Sequence, residues 1–447
     1  MDPTAQDKSL AAPGDYAALS KPNLSPILGR YFERSWSHGE GHSIFDSAGR
    51  AYLDFACGIA ATSLGHHHPA VTAAIKDQAD KLLHICNALG YLEPVGQFAT
   101  LLADSCPDPL DTVFLCNSGA EAIEAGLKLA RRVTRRPGIV AFRDAFHGRT
   151  YGAASITSSS INYRVGYEPF LPSVYLTPFP NTYRYFGDDE EAATAGAMAA
   201  LKTLLSHEIP PSAVGAIIIE PIQGEGGFNP APLAFLRELR ALCDEHGILL
   251  IFDEVQTGVA RTGKMWCFEH AGAVPDILCA AKALANGMPL GAIVTRRELQ
   301  EQWGVGAHGT TFGGNPVSCA AGVAVLRTIQ EQGLIANAAA RGQELLAALT
   351  TLKAMDDRIG DVRGLGLMVG VELVKDRATR EPDGEACEAL IQACLDRGLM
   401  VLNCGTHHSV VRFLPPIDVT ADEISRGVEL FAEALRSMPR NPAANGI

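Results

Sequence analysis

The chain has 447 residues, of which 47% are apolar and 19% charged. That profile belongs to a folded protein with a large core and more than one domain, and it excludes a disordered chain. A formal net charge of −13 and a pI of about 5.5 argue against nucleic acid and against anionic membrane as partners. No apolar stretch approaches the roughly 18 residues needed to span a bilayer.

Residues 1–25 are polar with scattered Ala and Pro and read as a flexible arm, lacking the basic start and apolar run of a secretory signal. Eleven cysteines occur, no two closer than the seven positions between Cys387 and Cys394. This spacing argues against a zinc ribbon, a redox pair or a disulfide scaffold, so reduced thiols, a cytoplasmic location and no metal are expected. From about residue 111 to 295 short apolar runs alternate with amphipathic stretches. Thr112–Cys116 reads as a strand, followed by a helix over 120–135 and a strand over 139–142. Residues 216–219 form a further strand ending at Glu220, and a helix over Leu233–His246 leads into a strand over 248–252. Residues 290–294 make another short buried run. Continuous apolar strands separated by helices indicate a mostly parallel sheet covered on both faces. From Gly333 onward an Ala/Leu-rich helix, strands near 367–373 and 410–414, and helices around 387–397 and at the end suggest a separate, smaller α+β domain.

The most informative pair is Asp253, where the 248–252 run stops, and Lys282, flanked by Ala280, Ala281, Ala283 and Leu284. The chain has only ten lysines. One in such apolar company is either neutralised or used covalently, because a buried unpaired ammonium is costly. Desolvation lowers its pKa and makes it a nucleophile and base. An acid at the carboxyl end of a buried strand stands where α/β sheets bind ligands. Together the two suit an aldehyde cofactor, which needs an amine to hold it as a Schiff base and a carboxylate to keep its pyridine nitrogen protonated.

Such a cofactor also needs a phosphate cradle and flat contacts. Ser118, Gly119 and Ala120 open a helix directly after a strand and offer backbone N–H donors. The loop 309–315 is a second glycine-rich candidate. Phe146 or His147 could stack on one face of a ring with Val255 on the other, and Gln256 is placed to donate to a phenolic oxygen.

In combination, residues 117–122, 145–150, 220–228, 253–258 with Lys282, and 308–316 stand in the order and spacing of the class III aminotransferases. From about residue 26 to 424 the chain resembles these fold-type-I pyridoxal 5′-phosphate (PLP) enzymes, and most closely their 4-aminobutyrate (GABA) branch. Residues 217–228, Arg261-Thr262-Gly263-Lys264 and residues 411–416 also support the resemblance. It implies an α/β large domain with a mostly parallel mixed sheet over residues 71–330. It also implies a smaller α+β domain built from residues 26–70 and 331–447.

By the same resemblance Lys282 holds the cofactor and then shuttles a proton between Cα and C4′, while Asp253 pairs with the pyridinium nitrogen. Ser118, Gly119 and Ala120 hold the phosphate, joined by Thr311 of a neighbouring subunit, which implies a homodimer with shared sites. Phe146, with His147 beside it, covers the ring, Val255 lies beneath it, and Gln256 is near the phenolic oxygen. Arg412 clamps an α-carboxylate with Glu225 as its gate, and Arg149 binds a distal carboxylate with Glu220 nearby. Ile59 matches an apolar residue close to the substrate.

The implied reaction is transfer of the amino group of an ω-amino acid to 2-oxoglutarate, giving a semialdehyde and glutamate in two half-reactions. GABA is the first candidate donor, followed by 5-aminovalerate, β-alanine and N-acetylornithine. The alternatives are an amino-acid racemase or epimerase of the same family and an acetylornithine/ornithine-type aminotransferase. Two departures stand out: residues 283–289 replace a run of glycines common in relatives, and residues 151–163 match no single substrate branch.

Overall fold

The computed structural model of the chain describes residues 15–439. The expected flexible arm over 1–25 therefore lies partly outside the described residues. Within them the chain starts with a short helix, Tyr16–Ser20, capped by Asp15 and burying none of its residues.

The centre is a seven-stranded sheet in the order Thr112–Cys116, Gly291–Thr295, Ile277–Ala280, Leu249–Asp253, Val214–Ile219, Gly138–Phe142, Val174–Thr177. Every residue of Gly138–Phe142, Val214–Ile219, Leu249–Asp253, Ile277–Ala280 and Gly291–Thr295 is buried, which is why these strands read as unbroken apolar runs. Alternate residues serve opposite faces. Ala216, Ile218 and Ile251 pack with Ala122, Ile123 and Leu127 of the Gly119–Thr134 helix. Ile217, Ile219 and Phe252 pack on the other face with Leu236 and Leu239 of the Leu233–His246 helix. That second helix stops at Gly247, whose φ of +60° is the left-handed conformation a helix end favours.

One strand runs against the rest. Gly291–Thr295 is antiparallel to both of its neighbours. The link from Ile277–Ala280 spans residues 281–290, shorter than the dozen or so residues a parallel crossover requires, so the chain has to turn back. That short return carries Lys282 over the carboxyl ends of the strands.

The C-terminal region forms an antiparallel sheet from Ile359–Leu365, Met368–Asp376, Val410–Phe413 and Leu402–Cys404. The helices Leu334–Met355, Gly384–Asp396 and Ala421–Ser437 accompany it. A second small sheet holds the N-terminal strands Trp36–Glu40, Ser43–Asp46 and Ala51–Asp54. Its edge is completed by Leu399–Met400, with Leu399 opposite Leu53 and Met400 opposite Asp54. The chain's early and late segments therefore share a sheet although the paired residues lie 346 positions apart, a pairing invisible to local periodicity. No helix among the described residues is long and apolar enough to cross a membrane.

The same two segments are joined by charge. The His42 imidazole lies 2.8 Å from Glu423 Oε1 and 3.1 Å from Asp418 Oδ1. Burial alone would lower its pKa, but the two carboxylates outweigh that and hold it at about 9. Glu423 is in turn held at about 2, because hydrogen bonds from His42 and Thr420 overcome its desolvation. The His42 contribution is complete below about 6.5 and is lost as pH rises through about 9. The Glu423 contribution is complete above about 4.5 and is lost as pH falls towards 2. His42→Gln is expected to destabilise the protein by about 1–3 kcal/mol at pH 6 and by little at pH 10, read by thermal or urea melting.

Candidate functional site

Asp253 is the last residue of its strand and pairs in parallel register with Cys279 of the next. Lys282 follows three positions later, at the start of a short 3-10 turn and with φ +46°. The acid and the amine thus reach one cavity from neighbouring strand ends. The strand was expected to stop at residue 252; it runs one residue further because Asp253 still pairs with Cys279.

The cavity has a volume of about 370 Å³ and is lined by every residue predicted at the cofactor except Thr311, together with Glu225. That size suits a small organic molecule. Asp253 is nearly buried, and both of its oxygens are engaged. Oδ1 accepts from the Val255 amide at 3.0 Å, and Oδ2 lies 2.7 Å from His147 Nδ1. Burial alone would lower the His147 pKa, but the bond and charge of Asp253 hold it above the ordinary imidazole value. His147 is thus committed to the acid rather than free to lie over a ring. Its Nε2 is buried without a hydrogen-bond partner, as is Gln256 Oε1. Orphaned polar atoms of this kind await a ligand or water.

Packing around Lys282 pushes its amine below the usual lysine value, against the opposing pull of Glu225 and Asp253. The cradle is equally specific. Ser118 caps the Gly119–Thr134 helix by accepting from the Glu121 amide at 3.2 Å. A Cβ on Gly119 would lie 2.7 Å from Val255 Cγ1, so only glycine lets the helix start approach the cavity floor. The Phe146 amide and the Gly224 amide both donate to Glu220, at 2.9 Å each. Burial pushes the Glu220 carboxyl up to about 7, a rise that His147 opposes and the Asp253 charge assists.

Behind Glu225 lies Arg412, wholly buried and ion-paired to the Glu225 carboxylate. Burial would weaken both charges, but each sustains the other: Glu225 stays below the ordinary carboxylate range and Arg412 above the ordinary arginine value. Arg412 Nη2 also donates to the Tyr31 hydroxyl at 3.1 Å. Tyr31 escaped the sequence reading because nothing local ties it to a strand 381 residues away.

Four predicted residues do not line the cavity of this single chain: Arg412, which lies behind Glu225, and Arg149, Ile59 and Thr311. Arg149 is exposed, with its guanidinium 4.4 Å from the centre of the Tyr163 ring. Tyr163 belongs to the 151–163 stretch that matched no branch, and its ring also meets Phe146 edge-on at 5.4 Å. Ile59, at φ +62°, packs against the small apolar cluster of Phe32, Tyr52 and Ala56. Thr311 is exposed on its loop; its neighbour Thr310 accepts from Asn117 Nδ2 at 3.2 Å. Glu220 meets backbone amides, and no ion pair joins it to Arg149 among the described residues.

A poised amine, a buried acid and a helix-start cradle around one cavity define an enzyme site for a flat, phosphorylated aldehyde. The family profile of class-III aminotransferases matches residues 30–435, and the chain belongs to that family. It is 41% identical to an acetylornithine aminotransferase of Methanopyrus kandleri, over 89% of this chain and 93% of that protein. It is 39% identical to a 4-aminobutyrate aminotransferase of Mycobacterium tuberculosis, over 89% and 90% respectively. A taurine:2-oxoglutarate aminotransferase from Bifidobacterium kashiwanohense, solved in complex with PLP and glutamate, is similar at a TM-score of 0.89. That match is 28% identical and covers 96% of this chain and 98% of the other.

Gly119→Ala is expected to drive Val255 into the cavity and destabilise the protein by about 1–3 kcal/mol, measured by thermal melting. An unchanged melting curve would remove the close approach argued for the helix start.

Proposed function

We propose that the chain is an ω-amino acid:2-oxoglutarate aminotransferase that holds PLP in the cavity around Lys282. The observation that carries this reading is the buried Glu225–Arg412 pair at the cavity wall. An enzyme that takes a monocarboxylate in one half-reaction and a dicarboxylate in the other cannot leave a buried arginine bare in the first. Glu225 pairs with Arg412 while an ω-amino acid occupies the site. The α-carboxylate of glutamate or 2-oxoglutarate then displaces Glu225 and takes the guanidinium through a bidentate contact.

The residues present fit the cofactor: Lys282 for its aldehyde, Asp253 for its pyridine nitrogen, Ser118, Gly119 and Ala120 for its phosphate, and Phe146 and Val255 for its faces. When bound, PLP supplies the electron sink that lets a proton leave the amine-bearing carbon. Lys282 would remove that proton; burial lowers its pKa, which favours the neutral amine that a base requires. The same amine would return the proton on the cofactor side of the bond. Asp253, pinned by His147 and the Val255 amide, would hold its carboxyl group toward the ring nitrogen. In net terms the donor's amino group would pass to 2-oxoglutarate by way of the cofactor, leaving a semialdehyde from the donor and glutamate from the acceptor.

GABA and its longer homologues are the favoured donors, supported by the similarity to 4-aminobutyrate aminotransferases. The 41% identity to an acetylornithine aminotransferase supports that donor as a second reading. Thr311, exposed outside its own cavity, supports a homodimer in which each copy completes the other's phosphate cradle. Arg149 serves the distal carboxylate after leaving the Tyr163 face, and Ile59 lines the donor side. Eleven unpaired cysteines support a reducing, cytoplasmic setting.

Lys282→Ala is expected to retain PLP by phosphate and ring contacts while losing at least about 10³-fold in turnover, followed by glutamate formation. Normal turnover would remove the assigned role. Glu225→Ala is expected to lower kcat/KM for GABA by about 10²-fold and for glutamate by far less, because it bares Arg412. Equal losses on the two substrates would count against the gate.

A further inference from the structure

Glu225 stands in a tight hairpin between Ile222–Gln223 and Asn229–Pro230; the Gly224 and Gly226 carbonyls are bonded within it, and several of its other polar groups are held from outside. The Gly224 amide rests on Glu220 at 2.9 Å, and the Glu225 carbonyl accepts from the Gly405 amide at 2.9 Å. The next two carbonyls engaged from outside belong to a single side chain. Arg363 donates through Nη2 to the Gly227 carbonyl at 2.5 Å and through Nε to the Phe228 carbonyl at 3.1 Å.

Arg363 reaches the hairpin from the Ile359–Leu365 strand, in the C-terminal sheet that also carries Arg412. Its side chain is 12% exposed, and its Nη1 meets Asp361 Oδ2 at 3.1 Å and Glu372 Oε2 at 2.6 Å. Gly227 has φ +124°, and a Cβ there would lie 3.3 Å from Arg363 Nη2, so the guanidinium rests directly on bare backbone.

We propose that Arg363 is a positioning residue for the Glu225 gate, fixing the hairpin so that only the Glu225 side chain swings. The inference rests on the gate reading given above and adds a determinant of substrate choice that touches neither substrate nor cofactor. The physical logic is asymmetric. When a monocarboxylate donor occupies the site, Arg412 depends on Glu225 for its counter-charge, so a slack hairpin leaves a buried cation poorly paired. When glutamate occupies it, the α-carboxylate serves Arg412 directly and the hairpin's register matters little. The planar fork of arginine spans two carbonyls and two carboxylates at once; the single ammonium of lysine cannot, although it keeps the charge.

The test compares holoenzymes carrying Arg363→Lys, Arg363→Gln, Glu225→Ala and the Arg363→Lys/Glu225→Ala pair. Arg363→Lys is expected to lower kcat/KM for GABA by about tenfold while changing glutamate less than about twofold. In the Glu225→Ala background it is expected to add almost nothing on GABA, the non-additivity of residues acting as one unit. Without substrate, the Gly405 amide and the 223–229 hairpin should exchange hydrogen faster in Arg363→Lys than in the parent. Equal losses on both substrates, full additivity with Glu225→Ala, or unchanged exchange would each overturn the proposal. If Arg363→Gln does not fold, the lysine variant decides alone. A Glu225→Ala enzyme that treats the two substrates alike would instead sink the gate, while the exchange data would still report whether Arg363 holds the hairpin.

Discussion

The register between two neighbouring parallel strands is the constraint on which the site depends. Asp253 sits opposite Cys279, so the residue three beyond Cys279 emerges at the same sheet end as the acid. The chain then has too few residues for a crossover and turns back as the antiparallel Gly291–Thr295 strand. Lys282 is thereby held over the carboxyl ends of the strands by the sheet itself. A one-residue slip would place the opposite face of the strand at the cavity and separate the two groups.

Around that geometry the protein concentrates charge in a place that disfavours it. Three carboxylates, Asp253, Glu220 and Glu225, share the cavity wall with Lys282, and each is given a different environment. Asp253 has a buried histidine, Glu225 has a buried arginine, and the hydrogen bonds to Glu220 come from backbone amides. The pKa directions follow: Glu225 is held down, whereas Glu220 rises to about 7 under burial. Separating like groups by their partners is how one cavity holds three carboxyl groups with different proton affinities.

The strands and helices of the large sheet were legible because burial on both faces leaves continuous apolar runs, and helices between them show their own period. Asp253, Lys282, Ser118 and Gly119 were legible for a related reason: each lies within a few residues of a strand end, where local sequence and position in the fold coincide. His147 was seen as a residue of the site but not as the partner of Asp253, since 106 positions separate them and no spacing rule links them. Tyr31 and Arg363 gave no signal at all, and Tyr163 only as part of the unmatched 151–163 stretch. An aromatic or an arginine in a polar stretch looks like any other until tertiary contacts select it.

The amino-acid sequence by itself determined the class of fold, the strand ends that face the ligand and the chemical types gathered there. These follow from hydrophobic period and from the cost of burying unpaired charge, both of which are written locally. Only the tertiary structure decided which partners those groups have. It joined residues 53–54 to 399–400, set His42 between Asp418 and Glu423, and laid Arg363 across the hairpin of Glu225. It also left Thr311, Arg149 and Ile59 outside the cavity of the single chain. Pairings of this kind depend on long-range closure of the chain, whose energetics are spread over the whole core and leave no mark on neighbouring residues.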